Sequence, residues 1–302
     1  MVCGGGDPTG FGLRPGADAT ELVVYLAGGG ACWDPVTCFG LQTAASLEVA
    51  WGEDHLQAEL GALEATGLLD PGTPLADATW AYVPYCTGDL HLGTTVRTHD
   101  PTFQPDRRTH HVGDVNLSLV LEELARTNPD AERIWLLGTS AGGYGVQLQA
   151  GRVASAWPDA EITVFADSAP VIQPGEARWS QWRNAWAVEI PTGCADCPTS
   201  LPAFFGARVA ATPDATYALA TTDQDAVITL FFAQPLGGLA TPVHALVEDV
   251  YLPDPRLSVF VRASSDRHVL LGDASNHVAS DGTVLSDFVA DWARGASLTD
   301  HP

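Results

Sequence analysis

Short apolar runs, each closing on glycine or a small polar residue, recur along the chain. Residues 21–27 (ELVVYLA) are rich in β-branched side chains and stop at Gly28-Gly29-Gly30, the pattern of a strand buried on both faces. Residues 79–85 (TWAYVPY), 133–137 (RIWLL), 161–170 (EITVFADSAP) and 256–263 (RLSVFVRA) read the same way, the fourth as a strand running into a loop. Helical patterns stand between them. Residues 41–65 are rich in Ala, Leu and Glu, residues 112–127 carry Val115, Leu119, Leu121 and Leu124 at helical spacing, and residues 144–156 follow the run RIWLL. This alternation predicts an α/β fold with a mostly parallel sheet covered by helices on both faces. Ligands in such a fold sit beyond the carboxyl ends of the strands. Residues 171–255, with RWSQWRNAW, proline-rich joints and helical runs, break the alternation and are expected to form an insertion or cap within one domain spanning 1–302.

Composition narrows the picture. At 302 residues and 46% hydrophobic content the chain can fill one large domain. No run of eighteen apolar residues predicts a membrane span. The opening MVCGGGDPTG lacks the basic and apolar regions of a signal peptide, so the protein is either not secreted or has lost its leader. Six cysteines bear on that choice. Cys32 and Cys38 flank a short loop, and Cys194 and Cys197 make a second local pair, which favours disulfides and an oxidising compartment. Cys3 and Cys86 would then pair by elimination. Zinc at Cys194 and Cys197 would need a second ligand pair, and the chain has no other C-x-x-C. The charge is -23, from 37 acids against 14 bases, every base an arginine. Such a field repels nucleic acid and anionic membranes at long range, so no nucleic-acid partner is expected.

The candidate chemistry begins at Gly138-Thr139-Ser140-Ala141-Gly142. A serine within G-x-S-x-G, after a strand and before a helix, is either a tight packing turn or a nucleophile held on an exposed, strained turn. A hydroxyl nucleophile needs a base in hydrogen-bond reach and a third group to orient the base. His268 follows a strand by a short loop, His277 in SNHVASDG competes with it, and His244 sits in a predicted helix. Asp223 and Asp225 open an apolar helix, where helix capping is the plain explanation of either. Asp167, directly after a strand, suits an anchoring role. For an oxyanion, the amide of Ala141 is one donor, and the glycine loop, with Gly29 and Gly30, supplies others. Trp179, Trp182 and Trp186 lie on one helical face, a core stripe or the lining of an acyl or sugar site. His91, His110 and His111 lack an acidic or cysteine cluster and read as structural or pocket-wall residues.

Taken together, CGGGDPTGFGLRPG, YLAGGGACWDPVTC, VPYCTGDLHLG, GTSAGGYG, FADSAP and RHVLL followed by DGTVLSDFVADW resemble, in order and over nearly the whole chain, the pectin acetylesterase family, which also contains Notum. The resemblance implies an α/β-hydrolase fold, an extracytoplasmic, secreted location and serine esterase activity with no metal or cofactor. It assigns the nucleophile to Ser140, the base to His268, the acid to Asp225 and the oxyanion donors to Gly29, Gly30 and Ala141. It also pairs Cys3 with Cys86. Two departures stand out: Gly30 occupies a position where the family usually has an aromatic residue, and Cys194 and Cys197 are closer together than the family's later bridge. The expected protein is a monomeric carboxylesterase acting on an acetylated saccharide or acyl ester, with Trp33, Trp179 and Trp182 as candidate substrate contacts. A lipase or polyester depolymerase is the alternative enzyme, and a non-catalytic binding module the alternative of another class.

Overall fold

The computed structural model describes residues 1–47, 50–64, 66–69, 72–73, 75–99, 107–175, 177–235 and 237–301. The chain opens with β1 (Gly12–Arg14), β2 (Asp18–Leu26), α1 (Glu53–Glu64) and β3 (Ala78–Val83). A two-stranded antiparallel unit follows, β4 (Thr95–Thr98) with β5 (Arg108–His111), leading into α2 (Gly113–Thr127). The remainder alternates: β6 (Arg133–Thr139), α3 (Ala141–Ala156), β7 (Glu161–Asp167), α4 (Arg178–Trp186), α5 (Leu201–Ala210), β8 (Thr216–Thr222), α6 (Ala226–Phe231), α7 (Ala240–Leu246), β9 (Leu257–Arg262) and α8 (Leu285–Ala293).

Among the described residues seven strands form the central sheet in the order β1-β3-β2-β6-β7-β8-β9, with β1 antiparallel to β3 and the other pairs parallel. Leu22 pairs with Ile134 and Ile134 with Ile162. The apolar runs thus lie side by side in the core, as parallel strands shielded on both faces require. From β2 the chain steps outward to β3, then returns past β2 to place β6 on its other side. Strand order therefore reverses between β2 and β6. The glycine loop after β2 and the serine turn after β6 meet at that switch point, where an open α/β sheet binds its ligands.

Three sequence expectations change. In α2 the buried residues include Leu117, Val120, Leu121 and Leu124, an i, i+3, i+4, i+7 stripe, while Val115 and Leu119 are 42% and 45% exposed. Among the described residues the helix expected over 41–65 is confined to Glu53–Glu64; Glu48, Val49 and Ala65 lie outside them. Upstream of it, Thr43 accepts the N–H of Ala31, and Ala45 donates to Gly29 at 2.8 Å, so these backbone groups brace the glycine loop instead. Within 171–255, β8 joins the central sheet between β7 and β9, with α4 and α5 before it and α6 and α7 after it.

The cysteines pair Cys3–Cys86, Cys32–Cys38 and Cys194–Cys197. Loop closure separates their weight: a separation of 83 corresponds to about 4–5 kcal/mol and one of 3 to roughly 2 kcal/mol in the chain-entropy account. The first bridge, which ties the N-terminal segment to the end of β3, carries the larger share. No helix among the described residues is long and apolar enough to cross a membrane.

Candidate active site

Ser140 sits between β6 and α3 with φ 52° and ψ -120°. A non-glycine residue held there carries about 1–3 kcal/mol of strain and persists only where its surroundings fix it. They do so closely. The Ser140 N–H donates to Asp167 O at 2.8 Å, and a Cβ on Gly142 would run into the carbonyl oxygen of Leu26, one on Gly138 into that of Gly142. The G-x-S-x-G pattern is thus a condition of packing this turn against β2, and the same turn leaves the serine hydroxyl facing the sheet edge.

His268 Nε2 lies 2.8 Å from Ser140 Oγ, and His268 Nδ1 lies 2.7 Å from Asp225 Oδ2. An ionised carboxylate only accepts, so Nδ1 carries the proton and Nε2 presents its lone pair to the serine hydroxyl. Asp225 is fully buried and is the N-cap of α6. Its Oδ1 accepts the N–H groups of Val227 and Ile228, both at 2.9 Å, leaving Oδ2 for the imidazole. The histidine loop is held from two sides. Thr222 Oγ1 donates to Arg267 O at 2.9 Å, while Gln224 and Ala226 donate to Ser265 O and Asp266 O. Past the imidazole, Val269 donates to Ser168 Oγ, and Leu270 and Leu271 donate to the Asp167 carboxylate. Burial, above all, raises the pKa of Asp167, against the pull of those amides. Asp167 is an anchor, as expected, and Ser168, which the sequence marks only as part of the same strand-end loop, shares that role; its φ of 56° is a backbone signal no residue pattern announces.

The competing residues lie elsewhere. His277 is buried against Asp273, at 2.6 Å, and Arg262. His244 is half exposed, 3.6 Å from Asp223. Trp179 is a correction: it packs on Phe204 and donates its indole N–H to Cys197 O, and it is not among the residues lining the pocket beside Ser140. Trp182 does line it, and Trp33 packs on Trp182 with ring centroids 5.7 Å apart and the ring planes tilted by 51°. The stripe of Trp179, Trp182 and Trp186 is at most 1% exposed, so it is core first.

That pocket is bounded by Gly30, Ser140, Ala141, Trp182, Phe231 and Phe232, among others, and has a cavity volume of about 20 Å³, room for roughly one water molecule. Among the described residues no acceptor meets the N–H groups of Gly29, Gly30 or Ala141, so all are open to a ligand; only the last two residues line the pocket. Gly30 has φ 74°, and a Cβ there would strike Thr43 O and stand 3.1 Å from Phe231 Cζ. Phe231 therefore occupies the space beside a position that is usually aromatic in the family the sequence resembles. The one cluster of metal-ligand side chains among the described residues, Cys32, Cys38 and His111, has its sulfurs joined in a disulfide.

Comparison with known proteins adds the following. A family model described as pectinacetylesterase matches residues 1–181. The chain is 28% identical over 160 residues to palmitoleoyl-protein carboxylesterase notum2 of Xenopus laevis, covering 51% of this chain and 30% of that protein. It is 25% identical over 175 residues to palmitoleoyl-protein carboxylesterase NOTUM of Mus musculus, covering 56% and 33%, and 28% identical over 169 residues to its Drosophila melanogaster counterpart, covering 51% and 23%. The chain thus spans a third or less of the length of these curated relatives. The matched span of the family model contains Ser140 and the glycine loop, whereas Asp225 and His268 lie beyond it.

Proposed function

The chain belongs to the pectinacetylesterase family, and from that premise we propose that it is a secreted serine carboxylesterase that removes small acyl groups, such as acetyl on a saccharide, through an acyl-enzyme. The observation that carries the reading is the pair of contacts joining Ser140 Oγ, His268 and Asp225 at 2.8 and 2.7 Å. Ser140 Oγ attacks the ester carbon while His268 Nε2 takes its proton, and Asp225 Oδ2 holds Nδ1–H and favours the imidazolium. The oxyanion settles on the N–H groups of Gly30 and Ala141. His268 then protonates the departing alcohol, and water, deprotonated by the same nitrogen, releases the acid.

The size of the pocket supports a small acyl group. The relatives' names specify a palmitoleoyl chain, but room for roughly one water suits the methyl of an acetyl group. Trp33 packs against the pocket-lining Trp182, with the Arg178 guanidinium 4.7 Å above its ring, an aromatic and cationic pair suited to the alcohol side of the ester. Three disulfides support an oxidising, extracytoplasmic setting. Hydrolysis of p-nitrophenyl esters from acetate to palmitate, by wild type and by Ser140→Ala, tests the reading. The expected result is acetate activity that declines with chain length and vanishes in the variant. A variant that keeps its rate would make Ser140 a packing turn.

A further inference from the structure

The segment VPYCTGDLHLG, 83–93, supplies none of the catalytic groups named above, yet it wraps the glycine loop. Tyr85 is buried, and its hydroxyl donates to Gly30 O at 2.8 Å while accepting the N–H of Leu90 at 2.9 Å. His91 is buried too. Its Nε2 lies 3.0 Å from Ala27 O, and because a carbonyl only accepts, that nitrogen carries the proton. The two rings pack with centroids 4.9 Å apart.

The backbone that presents them is held in a costly shape. Leu90 and His91 have φ of 55° and 58°, two successive non-glycine residues in the left-handed region. Asp89 fixes the approach, accepting Thr87 Oγ1–H at 2.7 Å and the Gly113 N–H at 2.8 Å. Gln149 of α3 donates to His91 O at 2.7 Å, which links the segment to the helix that begins at the serine turn.

The consequence falls on one peptide plane. Ala45 N–H holds Gly29 O, and the bond between Gly29 and Gly30 is trans, so the Gly30 N–H points away from Ala45. Tyr85 fixes the next carbonyl and His91 the carbonyl that precedes the loop. We propose that Tyr85 and His91 are positioning residues that preset the oxyanion hole, holding the Gly30 N–H aimed at the pocket before substrate arrives. The proposal rests on the reading of Ser140 as nucleophile and Gly30 as donor. Neither side chain touches substrate; Tyr85 acts through a carbonyl of the loop and His91 through the carbonyl just before it.

The test is steady-state hydrolysis of p-nitrophenyl acetate by Tyr85→Phe, His91→Leu and His91→Gln, with the affinity of a small alkyl boronic acid, whose tetrahedral adduct on Ser140 fills the hole. Misaimed donors are expected to lower kcat by roughly 10- to 100-fold in Tyr85→Phe and His91→Leu. KM should change little, boronate affinity should fall by the same factor, and His91→Gln should recover most of both because its amide N–H reaches the same carbonyl. A merely structural role would lower melting temperature and active fraction without that matched loss or that rescue. Unchanged kcat and boronate affinity in Tyr85→Phe, or His91→Gln no better than His91→Leu, overturns the proposal. If Tyr85→Phe does not fold, the comparison at position 91 decides. A wild type inert to both ester and boronate overturns the esterase reading and this proposal together, whereas an active wild type with unaffected variants overturns this proposal alone.

Discussion

The two oxygens of the Asp225 carboxylate face different partners, Oδ1 the amides that open α6 and Oδ2 the imidazole of His268. Helix capping and the proposed orientation of the base are therefore served by one side chain, and substitutions can separate them. Asn caps nearly as well as Asp, but its amide cannot hold the Nδ1–H tautomer as an ionised carboxylate does. Asp225→Asn is expected to keep its melting temperature within a few degrees and to lose roughly 10³- to 10⁴-fold in kcat. Asp225→Ala should lose the activity and, in addition, about 1 kcal/mol of stability. Thermal melts beside esterase assays check both, and an Asn variant near wild-type rate would leave only the cap. The residues alone left Asp223 and Asp225 open, since both precede the same apolar run. Only the three-dimensional path of the loop after β9 turns the imidazole toward the second. Tyr85 and His91 were less legible still, because they reach backbone carbonyls 55 and 64 positions away and leave no local signature.

The strands legible in the sequence are those whose β-branched runs are buried on both faces. β8, Thr216–Thr222 (TYALATT), was hidden because it lacks the Val and Ile that mark β2, β7 and β9, and its place in the sheet comes from pairing between β7 and β9. That strand delivers the chain to α6, whose Phe231 and the following Phe232 close one wall of the pocket while Trp182 of α4 closes another. Removing Trp182, fully buried, would cost about 3–5 kcal/mol and confound any change in specificity. Phe231 is only partly buried and is the better probe. Phe231→Ala should shift the kcat/KM ratio of p-nitrophenyl butyrate over acetate about tenfold toward butyrate, within what extra methylenes are worth in a hydrophobic pocket. An unchanged ratio would mean that this wall does not bound the acyl group.

Across the whole molecule, buried neutral imidazoles link stability to pH. Burial pushes His91 and His111 down to about 4, whereas an unfolded imidazole titrates near 6.5. The stability each contributes is fully present above about 6.5 and is lost as the pH falls through about 4. Asp89 works in the opposite sense: burial raises it to about 6, so its contribution is present below about 4 and is lost as the pH rises through 6. Comparing each variant with wild type removes that background, along with the titration of the net charge of -23. His111→Asn should lose less stability than wild type between pH 7 and pH 4, by on the order of 3 kcal/mol, in denaturant unfolding at the two values. Parallel losses would show that His111 does not set the acid limit. The aromatic column Trp33, Trp182 and Trp186, with successive centroids 5.7 and 5.5 Å apart and its middle ring on the wall beside Ser140, has an optical consequence. Indoles this close share their excitation, so a group bound to the serine would change the emission of the column as a unit. The protein thus carries its own fluorophore for following turnover of unlabelled natural esters in a stopped-flow cell.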